Sequence, residues 1–212
     1  NSEVATIDVD STGKMWLATR TGAGEIVVYH SDSPYATWNG PVVLDTGAIG
    51  NDDIELVTAL PNGTVGVLWS NQNTRRFGFR VHVDGADPAA WSANELPAAG
   101  SAFDNVGAGM ADDHLNVAVA ADSTLYAAVK TGYDTAGYPK IALLVRRPTG
   151  VWDSLYGIDE AGTRPLILLD EAHGTLTLIY TSSEGYNPIV YRQSTTQTIA
   201  FGGRTTLRSG AF

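Results

Sequence analysis

The sequence predicts an all-β chain that folds as a β-propeller of four-stranded antiparallel blades, four of them within its 212 residues and forming part of a larger propeller. Three observations predict it. Turn residues recur at Gly13, Gly63, Ser123 and Gly174, 50 to 60 residues apart, which is the length of a blade. An aromatic residue follows each turn by 25 to 29 residues, at Trp38, Trp91, Trp152 and Phe201, and closes the repeat. Helical periodicity with caps is absent, while 23 Gly and 9 Pro suit short strands joined by many turns.

Taken in order, the blades cover about 4–45, 52–100, 112–158 and 163–208 of a single domain or partial propeller, 1–212. The first strand of each precedes the turn (4–9, 54–60, 115–120, 165–169), and the second follows it (15–18, 65–69, 125–129, 176–180). A third strand follows a polar loop (25–30, 77–83, 140–145, 189–192), and a short fourth begins near the aromatic. All are short, rich in β-branched and aromatic residues, and bounded by turn residues. A two-sheet sandwich also uses short strands at regular spacing, but it gives no reason for an aromatic to recur in register.

A hydrophobic content of 43% supplies a core, so disorder is excluded. The formal charge of −10 repels phosphate backbones and anionic lipid headgroups, which argues against nucleic acid as a partner. The apolar runs 141–145 and 165–169 are far below the roughly 20 residues that span a bilayer, so no membrane insertion is expected. With no cysteine there is no disulfide, thiolate site or thiol nucleophile. His30, His82 and His173 are scattered, and neither a metal nor another cofactor is expected. The start at Asn1-Ser2-Glu3, without Met or a leader, suggests a piece of something longer.

In a propeller, the loops entering the first strand and those joining the second to the third surround one mouth of the central channel, where ligands bind. At that place the sequence carries Asp52-Asp53, Asp112-Asp113-His114 and Arg164. The second-to-third loops add Arg20, Arg75, Arg76, Lys130, Tyr133, Tyr138, Glu184 and Tyr186. Two carboxylates beside an imidazole, with Arg164 on the next blade, form the leading candidate site. Mixed charged and aromatic residues at a wet rim suit sugar hydroxyls or a uronate carboxylate. Asp52 and Asp53 also read as a solvated turn cap. The run 8–13 is similar to half a calcium loop, but position twelve is Thr19 instead of Glu, and a hairpin turn accounts for it.

Ser31-Asp32-Ser33-Pro34-Tyr35-Ala36-Thr37-Trp38 resembles a degenerate Asp-box, the Ser-x-Asp-x-Gly-x-Thr-Trp motif of sialidase-like BNR-repeat propellers. Ser31, Thr37 and Trp38 match, Ser33 and Tyr35 replace the Asp and Gly, and the later repeats keep Trp91 and Trp152. The resemblance implies an exported bacterial protein, extracellular or at the cell surface. It also implies a structural role for the motif, away from the active face, so that Trp38, Trp91 and Trp152 should be largely buried.

Sialidase chemistry would need three arginines (Arg20, Arg75 or Arg76, and Arg164) and a Tyr (Tyr133 or Tyr186) with a Glu partner, and no Glu stands at an equivalent position. The first expectation is therefore a non-catalytic module that binds carbohydrate or serves as a scaffold. Its ligand contacts would be Asp112, Asp113, Lys130, Arg164, Arg75 and Tyr186, and its partner a glycan or a neighbouring domain. The alternative is a polysaccharide lyase or glycoside hydrolase acting on an acidic glycan, with His114 and Tyr133 as its catalytic groups.

Overall fold

The computed structural model describes residues 4–183 and 188–209, which form fifteen strands and no helix. The chain divides into two compact units, Asn1–Pro97 and Ala98–Phe212.

In the first unit, β1 (Ala5–Val9), β2 (Met15–Arg20), β3 (Ile26–Ser31) and β4 (Asn39–Asp45) make an antiparallel meander in sequence order. A second sheet follows from β5 (Glu55–Leu60), β6 (Thr64–Asn71) and β7 (Arg76–Val83). This sheet has three strands instead of the expected four. The return segment makes no regular ladder with β7 and has only isolated backbone bridges, at Phe79↔Glu95 and His82↔Trp91. Side chains do part of the ladder's work there: Asn94 Oδ1 accepts from the Phe79 N–H at 3.1 Å, and Ser92 Oγ from the Val81 N–H at 2.9 Å. Side-chain acceptors of this kind compete with a regular backbone ladder.

The second unit holds β8 (Leu115–Val119), β9 (Leu125–Lys130), β10 (Ile141–Arg146) and β11 (Tyr156–Asp159), then β12 (Thr163–Asp170), β13 (Thr175–Thr181), β14 (Ile189–Thr195) and β15 (Thr205–Arg208), each set a four-stranded meander. Every residue of β10 is buried, as its unbroken apolar run Ile-Ala-Leu-Leu-Val requires of a strand covered on both faces.

The four turn positions read from the sequence all adopt the left-handed backbone, with φ of 85° at Gly13, 76° at Gly63, 71° at Ser123 and 61° at Gly174. Neighbouring sheets are pinned in the same way in both units. Thr6 Oγ1 accepts from the Val57 N–H (2.8 Å) and Asp8 Oδ2 from the Ala59 N–H (2.7 Å). Asn116 Oδ1 accepts from the Ile167 N–H at 3.0 Å. Each of these bonds links residues 51 positions apart.

The closing aromatics are not the buried ones. Trp38 is 40% exposed, and Trp91 and Trp152 are half-buried. Full burial goes to Trp16 and Trp69, on the second strands, where a facing sheet covers them. Their indole N–H groups stay satisfied, Trp16 by Asp10 Oδ2 at 2.9 Å and Trp69 by Asp45 Oδ2 at 3.0 Å. Trp91 meets Trp16 edge-on at 5.6 Å from the rim of this cluster. The reason is positional: an outer strand has protein on one side only, whereas a second strand sits in mid-sheet.

Candidate functional site

In the second unit, antiparallel order brings the start of β8 and the end of β9 to one end of the sheet. The Lys130 N–H donates to the His114 carbonyl at 2.9 Å, extending the β8–β9 ladder and fixing the two segments side by side. The side chains then converge. Lys130 Nζ lies 3.1 Å from Asp112 Oδ1 and 3.4 Å from Asp113 Oδ1. The Asp113 carboxylate meets His114 Nδ1, and Asp112 Oδ1 accepts the Asp113 N–H at 2.7 Å. The oxygens of Asp112 and Asp113 and a ring nitrogen of His114 fall within 4.8 Å of one another. Four of the residues singled out in the sequence, Asp112, Asp113, His114 and Lys130, thus form one half-buried cluster.

Burial pushes Asp112 up to about 6, helped by its hydrogen bond with Asp113 and opposed by Lys130. Burial raises Asp113 as well, but the hydrogen bond from Asp112 and the partners His114 and Lys130 outweigh it and bring Asp113 down to about 2. Below about pH 6 and above about pH 2 the pair holds one proton, as like charges this close must. Asp113 is then the carboxylate that orients the His114 ring, with Nδ1 engaged and the Nε2 edge left open.

The other expected site residues lie elsewhere. Tyr133 corrects the expectation of an accessible acid–base phenol: it is 2% exposed, and its hydroxyl accepts the Phe103 N–H at 2.9 Å. With its ring 5.5 Å from that of Tyr138, it props the 131–140 loop from inside. Arg164 is exposed at the start of β12, within the register shift between Thr163 and Leu166, at φ 53°. Arg75 is exposed at φ 62° between β6 and β7, in the other unit. Tyr186, with Glu184, falls outside the described residues.

Two features escape the sequence reading. Glu55, at the head of β5, is 1% exposed, and neither carboxylate oxygen has a hydrogen-bond partner. Burial pushes it up to about 7 against the opposing influence of Arg20. Its signal was present, since Glu55 and Val57 share the inward face of a strand whose period is two. In the second unit Asp159 is a hub: its Oδ2 accepts the Tyr180 hydroxyl at 2.7 Å and takes Arg192 Nη2 at 3.3 Å and Arg204 Nη1 at 3.5 Å.

No family model matches the chain, and no curated protein matches it. Solved structures do. The α-L-arabinanase of Penicillium chrysogenum, complexed with arabinobiose, superposes with a TM-score of 0.60 at 14% identity over 97% of this chain and 66% of its own. For an α-L-arabinofuranosidase of Fusarium graminearum the TM-score is 0.59 at 14% identity, over 98% of this chain and 67% of that one. The intramolecular trans-sialidase of Ruminococcus gnavus gives 0.55 at 13% identity, over 86% and 40%. The fold is therefore an all-β, sialidase-like β-propeller. The chain spans less than two thirds of the length of the arabinanase and well under half that of the trans-sialidase.

Proposed function

We propose that the chain is a carbohydrate-binding β-propeller module of an exported, extracellular or cell-surface protein, and that Asp112, Asp113, His114 and Lys130 are its polar contacts to sugar hydroxyls. The observation that carries this reading is the cluster itself. Two carboxylates, an ammonium and an imidazole stand half-buried at the end of one sheet, already oriented by one another. Such a set offers donors and acceptors within one ring's reach, at little entropic cost on binding. The similar solved structures include an arabinanase and an α-L-arabinofuranosidase, which supports the same ligand class. The turn 31–38 supports kinship with the Asp-box propellers, because Tyr35 stands at φ 62° where that motif has Gly.

A catalytic role for the two aspartates as a hydrolase pair fits poorly, because flanking a glycosidic bond takes carboxyl groups roughly 5 to 9.5 Å apart and these lie within 4.8 Å. Lys130 is also offset by both carboxylates, which weakens the acidic-glycan preference expected from the sequence. One observation favours a second reading: Asp113 holds His114 with its Nε2 edge open, the arrangement of a general base. A glycan array followed by titration of His114→Ala separates the readings. The binding module loses affinity and shows no turnover in either form. A lyase or hydrolase loses about 100-fold or more in rate while binding stays nearly constant. An array with no hit, and no product from soluble polysaccharides, leaves neither.

A further inference from the structure

Beside the Asp159 hub the second unit contains a cavity of about 440 Å³, lined by the 131–140 loop, β11 and Arg192. Its origin is local. Opposite β10 the register of β11 slips between Ile141 and Ala142, a bulge that re-aims Asp159 and Glu160. Gly157 lets the Pro139 ring approach closely: a Cβ there would lie 3.3 Å from Pro139 Cβ and Cγ, so a larger side chain must displace the ring or turn into the hollow. A second hollow of about 290 Å³, which also includes Lys140 and Ser183, has Glu160 in its wall too.

The wall chemistry is specific. Asp159 fixes the Arg192 guanidinium, whose Nε is buried without a partner. Glu160 is exposed and uses Oε2 to accept the Gly137 N–H at 3.1 Å, leaving its other oxygen available. Pro139 and Ile158 supply an apolar wall. Asp159 is paired with Arg192 and Arg204, and across the two hollows three carboxylates, Asp134, Asp159 and Glu160, stand with three cations, Lys140, Arg192 and Arg204, so the formal charges cancel in a protein of −10. A charge-neutral groove with a free acceptor in Glu160, a partly exposed guanidinium in Arg192 and a C–H wall matches a neutral polyhydroxylated ring. Its volume falls within the roughly 300 to 1,000 Å³ of small-molecule sites.

The geometry points to a second carbohydrate site in this groove, one that takes a neutral disaccharide with one ring in each hollow and Glu160 between them. It takes from the preceding reading only that the ligand class is carbohydrate, and it shares no residue with the Asp112–Lys130 cluster.

Arabinobiose, lactose and cellobiose are the neutral probes and galacturonic acid the charged one, titrated by protein-observed NMR. A neutral disaccharide is expected to bind, with no change across a salt series, and to weaken about tenfold in Glu160→Ala, a loss typical of a hydrogen bond to a charged group. Gly157→Val, which fills the hollow, should abolish binding, while His114→Ala should leave this site unchanged. Glu160→Ala alters only an exposed side chain, so it keeps the test readable if Gly157→Val unfolds. Binding lost in His114→Ala and intact in Glu160→Ala overturns the groove and retains the cluster. Salt-sensitive binding, preference for galacturonic acid, or no binding by any neutral probe also overturns it.

Discussion

At the scale of single residues, the buried Glu55 and the half-buried Asp112 are carboxyls raised by burial, and each predicts a pH dependence. Glu55 is raised from an ordinary 4.5 to about 7, chiefly by burial. A folded state that holds its proton more tightly than the unfolded chain is favoured at low pH. That contribution is fully present below about 4.5 and is lost as pH rises through about 7. Glu55→Gln should therefore match the parent near pH 4 and exceed it by about 3 kcal/mol at pH 8, as read from urea melts at both values. Identical pH dependence in the two proteins would refute the assignment. Asp112 answers to Lys130 in the opposite sense, because the ammonium lowers its pKa. Lys130→Met should therefore move the Asp112 titration above about 6 in carboxyl-detected NMR, and a downward shift would contradict the geometry.

At the scale of elements, the hairpin turns and the second strands do most to specify each sheet. Gly63 adopts φ 76° with open space around its Cα, so an added methyl would meet nothing. Gly63→Ala isolates the backbone cost of a left-handed position and should destabilise by about 1 to 2 kcal/mol in denaturant melts. The tryptophans test which strand is core. Trp16→Ala should cost about 3 to 5 kcal/mol, the range for a buried aromatic. Trp38→Ala, at an exposed position, should cost less than about 1 kcal/mol. Equal losses would restore the closing aromatic to the structural role expected of it. The second sheet's irregular fourth segment follows the same logic, since Ser92 and Asn94 bond the β7 backbone in place of a regular ladder.

At the scale of the molecule, a net charge of −10 with few basic residues predicts no retention on heparin at low ionic strength, and retention there would contradict this reading of the charge. Repeat length, turn positions and strand order were legible in the sequence, because each is a local property: a left-handed turn needs particular residues, and a strand declares itself by alternation. The Asp112–Lys130 cluster was legible for the same reason, its members being joined by one hairpin. The sequence by itself thus determined the all-β meanders, their turns and one charged cluster. Only the tertiary structure decided that Trp16 and Trp69 are buried while Trp38 is not, that Tyr133 is a prop, and that Asp159 meets Arg192 from 33 residues away. Those outcomes depend on which face another sheet covers, and packing between sheets is a non-local quantity that no window of sequence contains.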